Sequence, residues 1–233
     1  MHSTGRRAAG HSGLTLLRTR PNHPYAHAPR LPDGEAITVA SLFEGRGEGS
    51  GPIEIEIGSG RGGFVFERCD ARPDVTLLGL EIRLKWAAIV DERLRARGYG
   101  ARARVFCADA REALERLGPE GSVSVIYLHF PDPWWKKRHE KRLVMGERLV
   151  AAMARLLADG GEVFVQTDVE ERAALYEAEL SANPALTPAG DDPGSPRLNA
   201  NPYGALSPRE HHAVADGLPV HRLRYRRTPR AGG

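Results

Sequence analysis

The cleanest alternation of apolar and polar positions in the chain is Ile53, Ile55 and Ile57 interleaved with Glu54 and Glu56. A period of two predicts a strand with one face buried, and on that reading Glu54 is either exposed or paired. The strand stops at Gly58-Ser59-Gly60-Arg61-Gly62-Gly63, and Phe64 to Arg68 opens a helix. Val75 to Ile82 predicts a second strand carrying Glu81 at its end. Trp86, Ile89, Val90 and Leu94 then recur at helical spacing, closed by Gly98. Ala103 to Cys107 predicts a third strand leading to Asp109, followed by a short helix through Leu117. The apolar run Val123 to Phe130 predicts a fourth strand, buried on both faces. Leu143, Val150 and Leu157 then form one helical stripe, flanked by Leu149, Met153 and Leu156, with Gly160 as the expected C-cap. A fifth strand, Glu162 to Gln166, ends in Thr167-Asp168, and Val169, Ala173, Tyr176 and Leu180 line one face of the next helix.

Five strand–helix units in succession predict an α/β fold: a mostly parallel sheet with helices on both faces. Around this frame, residues 37–43 predict a short helix and residues 44–51 a Gly-rich linker. Residues 183–206, rich in Pro, Asn and Gly, predict a long loop. After Ser207-Pro208-Arg209-Glu210 a short helix leads to a last strand, Pro219 to Arg227, where Leu223 and Tyr225 alternate with Arg222, Arg224 and Arg226. Residues 1–36 carry Arg6, Arg7, Arg18, Arg20 and Arg30 with little periodicity and predict a flexible basic arm. Residues 37–233 are expected to form a single domain.

Composition narrows the class. Apolar residues make up 41% and charged residues 27% of the 233 positions, which is the profile of a globular domain. No apolar run approaches the ~20 residues that span a bilayer, and the N-terminus lacks the apolar core of a secretory signal. Two cysteines, Cys69 and Cys107, are too few for a disulfide framework or a zinc cluster, and a cytoplasmic location is expected. No metal is expected; His211-His212 lacks a third ligand at helical spacing and is taken as a solvated pair. The net charge of +3 is small, so the placement of the cations matters more than their sum. They cluster at both ends of the chain and after the fourth strand, which favours a polyanionic partner over a membrane.

The candidate chemistry lies at the carboxyl ends of the predicted strands, where open α/β sheets bind ligands. Gly58 to Gly63 fits G-x-G-x-x-G, with Glu81 about twenty residues on, which is the fingerprint of a dinucleotide site. Any adenosine cofactor meets the same requirements, because the glycines admit a close backbone approach and the carboxylate accepts from ribose hydroxyls. Glu56 tilts the choice toward S-adenosylmethionine over NAD, since a carboxylate there repels a pyrophosphate and attracts an ammonium or sulfonium. Asp109 can accept from the exocyclic amine of adenine. The fourth strand runs into Phe130-Pro131-Asp132-Pro133-Trp134-Trp135-Lys136-Lys137-Arg138-His139, a carboxylate on a proline-stiffened turn followed by flat rings and cations.

These strings resemble the bacterial tRNA (guanine-N7-)-methyltransferases, the TrmB family of class I S-adenosylmethionine-dependent methyltransferases. The resemblance rests on Glu56-Ile57-Gly58-Ser59-Gly60 with Gly62, Gly79-Leu80-Glu81, Ala108-Asp109-Ala110, Phe130 to His139 and Thr167-Asp168, and it runs from about residue 52 to 227. It implies a Rossmann-like, seven-stranded sheet with an antiparallel last strand, and methyl transfer to N7 of guanine at position 46 in the variable loop of tRNA. By the same resemblance Glu56, Gly58, Gly60, Glu81, Asp109 and Asp132 bind the cofactor, and Asp132 is the catalytic residue. Lys136, Asp168, Ser207 and Glu210 match substrate contacts, and Lys137, Arg138, His139, Lys141 and Arg142 an RNA-binding stretch. The chain departs from the family pattern at Trp135, at Leu143 and within Ser207-Pro208-Arg209-Glu210. The alternatives are an NAD-dependent oxidoreductase and a non-catalytic tRNA-binding protein on the same fold. A monomer or homodimer with no obligate protein partner is expected.

Overall fold

A computed structural model describes residues 23–44, 50–131 and 144–230. In chain order the elements are β1 (Ile37–Thr38), a 3-10 turn (Val39–Leu42), β2 (Ile53–Ile57), α1 (Gly63–Ala71), β3 (Thr76–Glu81), α2 (Leu84–Ala96), β4 (Ala103–Cys107), α3 (Ala110–Arg116), β5 (Leu117–Gly118) and β6 (Val123–His129). Then follow α4 (Glu147–Leu156), β7 (Leu157–Thr167), α5 (Glu170–Ser181), β8 (Leu186–Pro188), β9 (Arg197–Leu198), α6 (Pro208–Ala215) and β10 (His221–Arg227).

The main sheet runs β4-β3-β2-β6-β7-β10-β8, with β9 also paired to β10. The strands from β4 to β7 along this order are parallel, and β10 is antiparallel to β7, β8 and β9. The order makes β2 an inner strand between β3 and β6. The chain winds outward through β3 and β4, then returns to the other side of β2 with β6. The crevice between β2 and β6 is therefore the point where the winding reverses, the position at which such sheets hold ligands.

The alternation in β2 sets the two faces. Ile53, Ile55 and Ile57 join one large core with Leu114, Leu149, Val150, Met153, Tyr176 and Leu180, from α3, α4 and α5. Glu54 and Glu56 face the opposite side, where α1 lies, and both are buried. A second core of Val65, Leu77, Val90, Leu94 and Val105 packs α1 and α2 onto the outer strands.

Four local expectations are corrected. Residues 183–206 do not form one continuous loop: β8 and β9 lie in it, paired to β10. Gly160 is not a helix cap. The α4 helix ends at Leu156, and Leu157, fully buried, passes straight into β7. Gly160, at φ +78°, sits in an irregular stretch between the pairs Val123–Leu157 and Val125–Glu162. A buried leucine fits helical and strand periods equally, so the stripe ran on past the real end. The stretch 37–43 is a two-residue bridge to β5 followed by a 3-10 turn. The basic arm is also shorter than 36 residues. Ala28 is buried, Pro29 O accepts from Cys107 N at 2.7 Å, and Arg116 donates to the carbonyls of Pro32 and Gly34, so these residues belong to the packed body.

Candidate active site at the carboxyl edge of the sheet

The glycine loop leaves β2 through three left-handed residues, Gly58 (φ +81°), Gly60 (+54°) and Gly62 (+80°). Such values disfavour any side chain with a Cβ. Gly58 N donates to Leu80 O at 2.7 Å, and Gly62 N to Ser59 O at 2.8 Å. Glu81, at the end of β3, locks the loop: its Oε2 accepts from Gly60 N at 2.7 Å, and its Oε1 accepts from Arg83 N and Nε, both at 2.9 Å. Gly58, Gly60 and Glu81 thus come together as one unit, as the fingerprint requires.

Asp109 caps α3, accepting from Arg111 N at 3.0 Å and from the Arg111 guanidinium at 3.1 and 2.6 Å. That guanidinium holds its carboxyl below the usual carboxylate range. Asp109 lines a cavity with Ile82, Ala108 and Glu112, walled on the far side by Arg30 to Asp33. The packed end of the N-terminal segment therefore closes the side of the site that Asp109 faces.

Glu54 and Glu56 stand two residues apart on one strand face, each 2% exposed, in opposite electrostatic conditions. Glu54 is saturated. Arg68 grips it with two bonds, Nε to Oε2 at 2.9 Å and Nη2 to Oε1 at 2.6 Å, and Tyr127 OH donates to Oε2 at 2.9 Å. Arg68 also donates to Tyr203 O, tying the segment before α6 to α1. Burial, with Glu54 next, drives the Tyr127 hydroxyl pKa well up. Glu56 instead bonds only His129 Nδ1, at 3.0 Å through Oε1, and its buried Oε2 has no hydrogen-bond partner among the described residues. Ser59 Oγ, His129 Nε2 and both amide atoms of Gln166 are buried in the same condition.

On the β7 side, Asp168 accepts from Arg209 Nε and Nη2 at 3.1 and 2.7 Å, and the guanidinium lies 5.5 Å from the Phe130 ring. Phe130 is held at φ +47°, unusual for a residue with a Cβ. Its N–H donates to Gln166 O at 2.8 Å, and Pro131 O accepts from Tyr176 OH at 3.2 Å, which pins the chain just before Asp132. Asp132, Lys136, Lys137, Arg138, His139, Lys141 and Arg142 lie outside the described residues, as do Trp134, Trp135 and Leu143.

Ser207 and Glu210 are buried and bonded within the fold. Ser207 Oγ caps α6 by accepting from Glu210 N at 3.2 Å. The Glu210 carboxylate is 0% exposed, with Oε1 on Arg222 and Oε2 on Asn201 Nδ2, each at 2.9 Å. Pro208 and Arg209 are the exposed members of that stretch, and Arg209 is the one bonded to Asp168. His211 pairs with Glu67 at 2.6 Å.

Sequence reasoning missed His129, Gln166 and Arg209. The first two had a signal: each is a polar side chain at the carboxyl end of an otherwise buried strand, in register with one another and in the same phase as Glu56.

A family model described as "Putative methyltransferase" matches residues 50–223. A tRNA (guanine-N(7)-)-methyltransferase of Myxococcus xanthus is 37% identical over 175 residues, covering 75% of this chain and 83% of the relative. One of Anaeromyxobacter dehalogenans is 39% identical over 178 residues, covering 76% and 87%. Among solved structures, TrmN from Thermus thermophilus superposes with a TM-score of 0.53 at 18% identity, over 76% of this chain and 44% of that one. The 16S rRNA methyltransferase KamB gives 0.51 at 16% identity, over 82% and 91%. These two likenesses establish the fold, an α/β sheet of the methyltransferase kind. On the sequence matches, the chain belongs to the tRNA (guanine-N7-)-methyltransferase family.

Proposed function

We propose that the protein transfers a methyl group from S-adenosylmethionine to N7 of a guanine in tRNA, at position 46 of the variable loop. One observation carries this reading: a buried carboxylate, Glu56, keeps an unpartnered oxygen at the crevice between β2 and β6, just before the left-handed glycine loop. A dinucleotide pyrophosphate would meet repulsion there, whereas a cationic amino-acid end would be attracted.

The residues present fit that cofactor. A Cβ built on Gly58 meets no protein atom within 4 Å, so the loop has open space beside it. Glu81 and Asp109 each keep acceptor capacity beyond the bonds they make, since an ionised carboxylate has about four lone-pair sites. Glu81 and the Gly58–Gly60 backbone would hold the ribose side, Asp109 the adenine side and Glu56 the cationic end. When bound, S-adenosylmethionine supplies an electrophilic methyl carbon on a sulfonium.

Guanine N7 carries an in-plane lone pair and no proton, so the chain needs no general base. Its task is alignment of nucleophile and methyl carbon. Asp132 and Asp168 would accept from guanine N1–H and N2–H and stabilise the cationic purine. Adenine lacks that donor pattern and would leave them unpaired. Arg209 holds the Asp168 carboxylate in place. Lys136, Lys137, Arg138, Lys141 and Arg142, with His139 of the same stretch, would contact the RNA, which makes tRNA binding weaken as salt rises. The enzyme acts in the cytoplasm, as a monomer or homodimer.

The test is tritium transfer from labelled S-adenosylmethionine to an unmodified tRNA transcript, beside the same transcript made with 7-deazaguanine. Label on the first and none on the second supports N7. Equal label on both overturns it.

A further inference from the structure

Buried polar atoms without partners lie side by side on β2, β6 and β7. His129 and Gln166 are paired in register across β6 and β7, and Glu56 of β2 is in register with Tyr127 of β6, one strand repeat from His129. All three side chains point to the α1 face. The His129 ring packs 4.2 Å from Phe64 and 5.7 Å from Tyr127, centroid to centroid, and its side chain is 4% exposed. An ionised carboxylate oxygen accepts, so His129 Nδ1 donates to Glu56 and Nε2 is the ring's free polar atom. Gln166, 0% exposed, contributes one free carbonyl and one free NH₂. Burying this many polar groups unpaired is costly, about 1–3 kcal/mol each, so such a cluster is built for a ligand that satisfies it.

The donor and acceptor pattern names the ligand chemistry. Glu56 Oε2 and Gln166 Oε1 are acceptors that suit an ammonium. Gln166 Nε2 is a donor that suits a carboxylate. The geometry points to a socket for the α-amino-acid end of the methyl donor, in which Gln166 is a direct binding residue and His129 a positioning residue that turns the Glu56 carboxylate. This rests on the cofactor assignment above and adds His129 and Gln166 to it.

The experiment is calorimetry of two ligands, S-adenosylmethionine and 5′-methylthioadenosine, which shares the adenosine and lacks the amino-acid end. Gln166→Leu and His129→Phe are each expected to weaken S-adenosylmethionine by about tenfold or more, the scale of a lost hydrogen bond to a charged group. Affinity for 5′-methylthioadenosine should stay within about twofold, which also shows that the variants fold. His129→Asn, which retains a donor at about the Nδ1 position, should restore most of the S-adenosylmethionine affinity. Equal losses for both ligands, or no loss for either, overturn the socket while leaving the cofactor assignment intact. Wild-type protein that binds neither ligand overturns the assignment and the socket together.

Discussion

Glu54 and Glu56 differ by two positions, share a strand face and are equally buried, yet one is part of the framework and the other part of the site. Replacing each by glutamine separates the roles. In Glu54→Gln the Arg68 guanidinium, whose side chain is 5% exposed, loses its counter-charge while staying buried. Breaking a buried pair from one side costs about 3–5 kcal/mol. The amide oxygen still accepts one bond, which places the expected loss near the lower figure. With a slope of about 1–3 kcal/mol per molar urea, the unfolding midpoint should fall by about 1 M or more. Affinity of the folded protein for S-adenosylmethionine should not change. In Glu56→Gln no cation is abandoned, and only the His129 contact is altered, so stability should move by about 1 kcal/mol or less. The cofactor should instead bind about ten- to a hundredfold more weakly, because a charge-assisted bond is lost. Urea unfolding followed by circular dichroism, beside calorimetry of both variants, measures the two effects. Similar stability losses in the two variants, or a cofactor defect in folded Glu54→Gln, would refute the division of labour.

Three further outcomes are expected. Gly58→Ala and Gly62→Ala both force a Cβ into left-handed backbone, at about 1–2 kcal/mol. At Gly62 the new Cβ also falls 2.6 Å from Val90 Cγ1, so Gly62→Ala should show the larger drop in thermal midpoint, and the reverse order would be contrary to the structure. Asp168→Asn and Arg209→Gln should raise KM for tRNA with S-adenosylmethionine binding unchanged; a shift in cofactor affinity instead would move that pair out of the substrate side. Burial pushes the Cys69 thiol from 9.0 up to about 11. The folded state therefore disfavours the thiolate, and the stability this contributes is full below about pH 9 and lost as pH rises toward 11. Cys69→Ala should flatten that alkaline limb in denaturation measured against pH, and an unchanged slope would count against the burial argument.

The parallel core of the fold was legible because its strands are short buried runs ending in glycine or acid, each followed by helical spacing. The glycine loop, Glu81 and Asp109 were legible for the same reason: strand ends carry function in this architecture. What stayed hidden depends on partners distant in sequence. β8 and β9 are strands only because β10 lies between them and the rest of the sheet, so Pro188 and Arg197 look like loop residues in isolation. Glu210 has its carboxylate bonded to Arg222 and Asn201, partners that its own stretch of sequence does not show. Glu54 could be exposed or paired from its alternation alone, and Arg68, fourteen residues on, decides for paired. His129 and Gln166 were read as members of apolar strands, although a polar side chain at the end of a buried strand was visible in the sequence.

The most direct test of the central claim is to methylate an unmodified tRNA transcript with the purified protein and then cleave the RNA chemically at 7-methylguanine. A single cut in the variable loop, absent with Asp132→Ala and strongly reduced with Glu56→Gln, is the predicted result. Cuts elsewhere in the tRNA, or methylated RNA with no cut at all, would contradict it.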